Sequence, residues 1–256
     1  MKKITTIITV LLVLLLLCGC TPTAQPQTPT TNNRNPFDFD GNTVNPEVTI
    51  DGRDDDELWQ DASVTHASFS SCEVSILRRT TAIYLFFKVH DVTPYSYVDQ
   101  GAADEVTRSD SIEFYLDTKL TRVTSPQANC YQINLGRDSR TRILEGGSGI
   151  WYEWAAMYTF EVREGFGSEE EYYFVEAMLP LAQMGVNADQ DMGIAFGLVD
   201  RTVEENKDLA GYFTWTGMTY KSQFVEPQDP SKYLVLRASG GDLLLYSEYL
   251  EAKAQQ

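Results

Sequence analysis

The sequence predicts an all-β protein in which two antiparallel sheets pack into a sandwich, followed by a short C-terminal helix. Apolar and polar side chains alternate along the segments 82–91 and 111–117, so that each segment has one apolar face. This alternation is typical of half-buried antiparallel strands, since parallel strands buried on both faces are continuously apolar. The segments are also rich in β-branched and aromatic residues and end at Asp or Gly, as strands end at turns.

Six such segments follow one another along the chain and define the predicted strands. They are residues 48–52 with Leu58 and Trp59, 82–91, 110–117, 173–181, 193–200, and the turn 229–233 with the strand 234–236. Residues 54–62 predict a short helical turn, because the helix dipole favours the acidic residues at its start. Trp59 within this turn is expected in the core. Leu and Tyr residues in 243–250 predict an amphipathic C-terminal helix.

The N-terminal residues predict a secretory signal with a lipid attachment site. Lys2 and Lys3 precede an apolar run, residues 4–17, that is too short to span a bilayer as a mature anchor. The sequence Leu17-Cys18-Gly19-Cys20 resembles a bacterial lipobox, which implies cleavage before Cys20 and lipidation of its thiol. An ordinary signal peptide that contains cysteines is the alternative. The expected location is extracytoplasmic, with the lipid holding the protein at the bacterial cell membrane or surface.

The rest of the chain predicts one folded domain on a tether. Residues 1–19 are the predicted signal peptide, and 20–36 are the lipidated cysteine and a Thr/Pro-rich stretch with too few apolar side chains to fold. Residues 37–238 form the predicted sandwich, and 239–256 form the helical extension. The formal net charge of −17 excludes nucleic acid as a partner, because so acidic a surface repels phosphates.

Cys72 and Cys130 remain after processing, and strand parity argues against a disulfide between them. Cys72 shares a predicted strand face with Val74 and Ile76, whereas Cys130 shares a face with polar residues. One thiol is therefore expected in the core. The other is expected to face away from the core and to react more readily.

In order and content, the six segments resemble the family 9 carbohydrate-binding modules, within the wider group of DOMON-like β-sandwiches. The resemblance covers Glu47 to Arg237. It implies a sandwich of jelly-roll type and a non-catalytic function, the binding of a glycan beside glycoside hydrolases encoded elsewhere. In family members with a characterised site, two tryptophans sandwich the sugar, while an acid, an arginine and amides hydrogen-bond it.

The resemblance carries the family's binding residues over to this chain only in part. Glu113 occupies the position of the acid, and Gln132 takes the place of the arginine. Thr107 stands where the first tryptophan is expected. The second is expected shortly before Asp229, where Phe224, Pro227 and Gln228 stand instead. Both sandwiching tryptophans are therefore missing from their usual positions. The side chains expected to bind the sugar are Glu113, Gln132, Tyr95, Tyr97, Arg108 and Phe224.

The tryptophans of the C-terminal half are expected to pack rather than to bind. Trp151 and Trp154 open a predicted strand, residues 151–162, and Trp215 is expected in the core. Glu113 is expected on the outward face of its strand. Glu113→Ala should therefore abolish sugar binding with little loss of stability.

The sequence offers little for catalysis and one candidate for a metal. His66 and His90 are its only histidines, too few for a Ser/His/Asp relay or a catalytic zinc site, so we expect no enzyme activity. The resemblance implies that calcium can serve as a structural cofactor. Carboxylates near one turn supply the hard oxygen ligands that calcium prefers; these are Asp51, Asp54, Asp55 and Asp56. Solvated surface acids are the alternative interpretation.

Two other functions share the predicted sandwich. A degenerate module can act as a protein-interaction or structural domain, and the missing tryptophans favour this. A DOMON-like domain can also bind haem for electron transfer, which requires an axial pair such as Met with His. Met178 and His90 are the candidates for that pair.

Overall fold

The computed structural model describes residues 49–96, 105–153, 163–202 and 212–256. All of them belong to one compact unit, residues 44–256. In chain order the strands are β1 (Thr65–Phe69), β2 (Cys72–Arg78), β3 (Ala82–His90), β4 (Ser111–Asp117), β5 (Cys130–Gly136), β6 (Thr141–Gly147), β7 (Ile150–Glu153), β8 (Arg163–Glu169), β9 (Tyr172–Pro180), β10 (Met192–Thr202), β11 (Tyr212–Gly217), β12 (Thr219–Tyr220), β13 (Gln223–Phe224), β14 (Leu234–Leu236) and β15 (Leu243–Leu244). One α-helix, α1 (Tyr246–Ala254), follows the last described strand.

The strands form two large antiparallel sheets and one small hairpin. The first sheet has the order β1-β2-β3-β9-β8, and the second has the order β15-β14-β10-β4-β5-β6-β7. Strand β10 is long enough to take two partners on one side: its beginning pairs with β14, and Gly197–Thr202 pair with β11. Strands β12 and β13 pair only with each other. The predicted all-β, two-sheet fold is confirmed.

The core lies between the two large sheets and follows the predicted alternation. Ile83, Leu85 and Phe87 of β3 and Ile112 and Phe114 of β4 are all 0% exposed and belong to one apolar cluster. Cys72 also belongs to this cluster, whereas Cys130 lies on the other face of its sheet, so the parity prediction holds. Both thiols are free and buried, however, and the expectation that Cys130 is more accessible is wrong.

The first predicted strand, residues 48–52, is wrong: its described residues, 49–52, do not form a strand. Residues 49 and 50 are irregular and Asp51 and Gly52 form a bend. The amide groups of Asp51 and Gly52 donate to Glu176 Oε2 at 2.9 and 3.1 Å, and the Trp59 indole donates to Oε1 at 3.1 Å. Glu176 is 0% exposed, so this bend covers the outer face of the first sheet. Its backbone amides are satisfied by a carboxylate instead of a neighbouring strand.

Trp59 is buried, as expected, and lies in a 3-10 turn, Glu57–Gln60, that matches the predicted helical turn. At the C-terminus the predicted helix begins later than expected. Leu243 and Leu244 pair with β14 as a short strand, and α1 begins at Tyr246. No helix in the described ranges combines the length and apolar character needed to cross a membrane.

Candidate functional site

The outer face of the second sheet carries a row of polar and small residues that centres on Glu113. In the strand register Glu113 lies directly opposite Asn134 of β5 on one side and Gly197 of β10 on the other. Gly197 in turn lies opposite Gly217 of β11. Residues that face each other across antiparallel strands point to the same side of a sheet. The carboxylate of Glu113 therefore stands between an amide and a strip of backbone without side chains.

Glu113 is held by three hydrogen-bond donors. Asn134 Nδ2 donates to Oε1 at 2.6 Å, and the Tyr115 hydroxyl and the Trp215 indole donate to Oε2 at 2.6 and 2.8 Å. Glu113 is only 5% exposed, and Asn134 and Tyr115 are 0% exposed. A carboxylate withdrawn from water in this way needs such donors, because burying it unpaired would cost several kcal/mol.

The hydrogen bonds continue from Glu113 in two directions. Along β5, Gln132 Nε2 donates to Asn134 Oδ1 at 3.2 Å. Towards solvent, the exposed Gln228 donates to the Tyr115 hydroxyl at 3.1 Å and accepts from the Trp151 indole at 2.8 Å. We call the connected residues the Glu113 cluster: Glu113, Tyr115, Gln132, Asn134, Trp151, Trp215 and Gln228.

Aromatic rings surround this polar chain. The Trp151 ring lies 5.9 Å from the Tyr115 ring, centroid to centroid, and Trp215 lies beside Gly197, where an added Cβ would be 3.4 Å from its indole nitrogen. Phe224 is 54% exposed, and its ring covers Gly217, where an added Cβ would be 3.1 Å away. Trp151 and Trp215 are half-buried. The cluster thus offers planar polar groups bordered by partly accessible aromatic faces.

Burial and the charge of Glu113 together keep the Tyr115 hydroxyl protonated. Burial, followed by the charge of Glu113, raises the pKa of Tyr115 well above its ordinary value of 10.0. The Tyr115 hydroxyl therefore remains a donor to Glu113 at any physiological pH. The same hydroxyl accepts from Gln228, so it relays hydrogen bonds between the exposed amide and the buried carboxylate.

The structure brings three of the predicted binding residues to this face and places Arg108 at its border. Glu113, Gln132 and Phe224 lie on the outer face of the second sheet. Arg108 is the last residue of a 3-10 turn, Glu105–Arg108. This turn lies over the same face, because the Val106 side chain within it would be 3.0 Å from a Cβ added at Gly136 of β5. The Tyr95 backbone bonds to Asp110 just before β4, and Tyr97 lies outside the described residues.

Sequence reasoning missed several members of the cluster. Trp151 and Trp215 were expected to be packing residues, yet their indole nitrogens donate to Gln228 and to Glu113. Asn134 shares strand parity with Gln132, which is a signal that could have identified it. The expectation that Glu113 can be replaced with little loss of stability also changes, because a carboxylate that is 5% exposed and bonded to three donors contributes to the stability of the fold.

The candidate calcium ligands do not form a metal site. Asp51, Asp54 and Asp55 are exposed, and Asp56 accepts a hydrogen bond from the Thr49 amide at 2.9 Å. Across the described part of the chain, no group of three or more acidic, histidine or cysteine side chains is arranged to hold a metal ion. The donor set present at this turn therefore does not fit calcium, whose sites need six to eight oxygen ligands around one point.

The candidate haem ligands also fail on geometry. Met178 lies opposite Tyr84 and is 1% exposed, whereas His90 lies opposite Tyr172 at the other end of β3. Tyr84 and His90 are six residues apart along the extended strand β3, which places Met178 roughly 20 Å from His90. His90 is instead at the surface, with Nε2 3.2 Å from Glu171 Oε2. The two side chains cannot ligate one iron from opposite sides.

An antiparallel sandwich with a hydrogen-bonded polar cluster and aromatic rings on one outer face has the architecture of a binding module. Residues 50–234 match the family model described as "Carbohydrate family 9 binding domain-like", and the chain belongs to this family. No curated protein matches the chain at a significant level.

The fold is shared with solved structures that include two complexes with a sugar. Both are of a family 9 carbohydrate-binding module from Caldicellulosiruptor kristjanssonii. The complex with glucose is 17% identical, with a TM-score of 0.52, over 74% of this chain and 90% of that one. The complex with cellotriose is 16% identical, with a TM-score of 0.50, over 73% and 86%.

Proposed function

We propose that this protein is a non-catalytic lipoprotein that binds a glycan through the Glu113 cluster. The observation that carries the proposal is the set of contacts made by Glu113, a buried carboxylate bonded to Asn134 and Trp215 and connected to the surface through Tyr115. Sugar rings have an apolar side that packs on aromatic faces and hydroxyls that bond to planar polar groups. The cluster supplies both kinds of group side by side.

The hydrogen-bonding capacity of Glu113 leaves room for a ligand. An ionised carboxylate offers roughly four acceptor positions, and among the described residues three of them are taken, by Asn134, Tyr115 and Trp215. One position therefore remains for a sugar hydroxyl. The three existing donors hold the carboxylate in one orientation, which lowers the entropic cost of binding. The exposed Gln228 amide adds donors and acceptors at the rim of the cluster.

Three aromatic side chains serve as the apolar faces of the proposed site. Trp215 and Trp151 approach the Glu113–Tyr115 pair from the strands on its two sides, and Phe224 covers the adjoining Gly217. They replace the tryptophans that are absent from the usual family positions. The solved relatives in complex with glucose and cellotriose support a neutral sugar of this type as the ligand.

Isothermal titration with glucose and cellotriose tests the proposal, using mature protein in detergent. Trp215→Phe keeps an aromatic ring but removes the donor to Glu113, and it should weaken binding roughly tenfold. Trp59→Phe is the matched control, because Trp59 also donates an indole N–H to a buried glutamate, Glu176, but on the other sheet. The control should bind sugar like the parent. Equal binding by both variants, or a parent that binds no glycan in a wider screen, contradicts the proposal.

The anchoring part of the proposal rests on the residues before Cys20. A lipidated Cys20 would hold the domain at the extracytoplasmic surface of the membrane through its acyl chains. Mass spectrometry of the mature protein should detect an acylated Cys20 as the first residue, and Cys20→Ala should move the protein out of the membrane fraction. An N-terminus cleaved elsewhere, without lipid, is the contrary result.

A further inference from the structure

The negative charge of Glu113 is surrounded by neutral groups. Its bonded neighbours are Asn134, Tyr115 and Trp215, which present an amide, a hydroxyl and an indole N–H. The amide and indole nitrogens can only donate, so Glu113 accepts at both of its oxygens, as a carboxylate does. None of the ion pairs among the described residues includes Glu113. Within the described part of the chain, its charge therefore has no cationic partner.

Arg142 is a cation on the same face of the sheet, but it is engaged elsewhere. It lies opposite Asn134, two strands from Glu113 and about 10 Å away. Its guanidinium pairs with Glu153 at 2.9 Å, and both side chains are partly exposed. At physiological salt the screening length is about 8 Å. The Arg142–Glu153 pair therefore adds little positive potential at Glu113.

The open acceptor position of Glu113 is at Oε1. Tyr115 and Trp215 both donate to Oε2, whereas Asn134 is the one described residue that donates to Oε1. A carboxylate oxygen has two lone pairs, so Oε1 has room for a second donor. The indole rings of Trp215 and Trp151 flank the Glu113–Tyr115 pair, and the faces of such rings attract a cation. A donor that reaches Oε1 is therefore favoured when it carries a positive charge.

The charge of the whole chain acts in the same direction. Its formal net charge is −17. Such an excess of negative charge raises the local concentration of cations and lowers that of anions. A neutral sugar gains nothing from this field, and an anionic sugar is repelled by it. A positively charged sugar gains from the field during approach and from Glu113 once it is bound.

We propose that the Glu113 cluster selects an amino sugar, in which a protonated amine replaces one hydroxyl and binds Glu113 Oε1. This inference rests on the proposed function and narrows its ligand class, because a neutral sugar fits the same position with a weaker bond. Opposite charges add an attraction that a hydroxyl lacks, and water screens it little at a residue that is 5% exposed. Glu113 has already lost its water on folding, so only the amine is desolvated on binding.

The test is isothermal titration of the mature protein in detergent with glucose, glucosamine and N-acetylglucosamine. The titrations are made at about pH 6, where the primary amine of glucosamine is protonated. Glucosamine should bind the parent roughly tenfold more tightly than glucose, which is the lower end of what a close pair of opposite charges contributes at an interface. N-acetylglucosamine carries a neutral amide at the same carbon, so it should show no such gain over glucose.

Glu113→Gln is the informative variant, and Glu176→Gln is its matched control. Gln keeps the shape of the side chain but removes its charge, so Glu113→Gln should bind glucosamine no more tightly than glucose. Glu176 is a second buried glutamate that accepts an indole N–H, from Trp59 on the other sheet, so Glu176→Gln should keep the tenfold preference.

Two results overturn the inference and leave the proposed site intact. One is a parent that binds glucose and has no preference for glucosamine, and the other is a preference that survives in Glu113→Gln. A parent that binds no glycan, in these titrations or in a wider screen, overturns both proposals.

Discussion

Replacing Glu113 separates its contribution to folding from its contribution to ligand binding. In Glu113→Ala three donors lose their acceptor. A buried donor left without a partner costs ~1–3 kcal/mol. Two of the donors, on Tyr115 and Asn134, belong to side chains that are 0% exposed, whereas Trp215 is half-buried and water can replace its acceptor. Water entering the space left by Ala reduces the cost, so we expect a loss of about 2–4 kcal/mol in the free energy of unfolding.

Glu113→Gln should behave differently, because the amides around it can reorient. The new carbonyl oxygen can keep the donors from Tyr115 and Trp215, while the new NH₂ group faces Asn134. If the amides of Asn134 and Gln132 both rotate, every group keeps a partner. The expected loss of stability is about 1 kcal/mol, the part of the hydrogen bonds that depends on charge. Glucose affinity should still fall at least roughly tenfold, because the sugar hydroxyl loses a charged acceptor.

Urea denaturation followed by tryptophan fluorescence measures the first effect, and isothermal titration measures the second. A domain with ~5–15 kcal/mol of stability remains folded in both variants, so binding can be measured. If Glu113→Ala unfolds at the same urea concentration as the parent, then the Glu113 carboxylate is not buried and bonded to three donors in the native protein. If Glu113→Gln binds glucose as the parent does, Glu113 is structural only.

Three further predictions follow from buried groups. Burial raises the pKa of Asp110 and of Glu176 to about 7, above their ordinary values of 3.8 and 4.5. Between the ordinary and the raised values the native state binds more protons than the unfolded state, so the free energy of unfolding should fall as the pH rises from 5 to 8. The fall should be smaller in Glu176→Gln, which has one of these groups fewer. Urea midpoints across that range check this, and a rise in stability would contradict it. Gly146→Ala should lower the free energy of unfolding by ~1–3 kcal/mol, since the new Cβ would lie 2.6 Å from the Gln127 carbonyl oxygen. In Gly197→Ala the new Cβ makes only ordinary contacts, so the free energy of unfolding should differ from that of the parent by less than about 0.5 kcal/mol. Burial raises the pKa of Cys72, and that of Cys130 to about 11, so both thiols should resist thiol reagents until the domain is unfolded; modification of either one in the native protein is the opposite result.

The strands could be predicted because their signal is local. A period of two in β3 and β4 assigns alternate residues to opposite faces, and the structure places Ile83, Leu85 and Ile112 in the core as the pattern requires. The strand predicted at residues 48–52 is wrong because a composition rich in β-forming residues does not show whether a neighbouring strand is available for pairing. Its described residues find the Glu176 carboxylate and the Trp59 turn instead of a neighbouring strand.

The candidate site could be predicted only where the family pattern and strand parity agree. Glu113 and Gln132 were identified in this way, and both lie in the cluster. Trp215 was not, because a tryptophan in a short aromatic strand has the same local pattern whether it packs or binds. Trp215 lies 102 residues after Glu113 in the sequence, and it reaches Glu113 only because β11 pairs with the far half of β10 and β10 pairs with β4.

The sequence alone therefore determined the fold class and the direction of the side chains in the strands that alternate clearly, such as β3 and β4, since both follow from short-range alternation. The tertiary structure decided which outward-facing groups are covered. Glu113 points away from the core, as its parity requires, yet it is 5% exposed because Trp215 and Tyr115 close over it. Burial on an outer face depends on which distant segments pack there, and that is set by strand register and loop placement rather than by any local pattern.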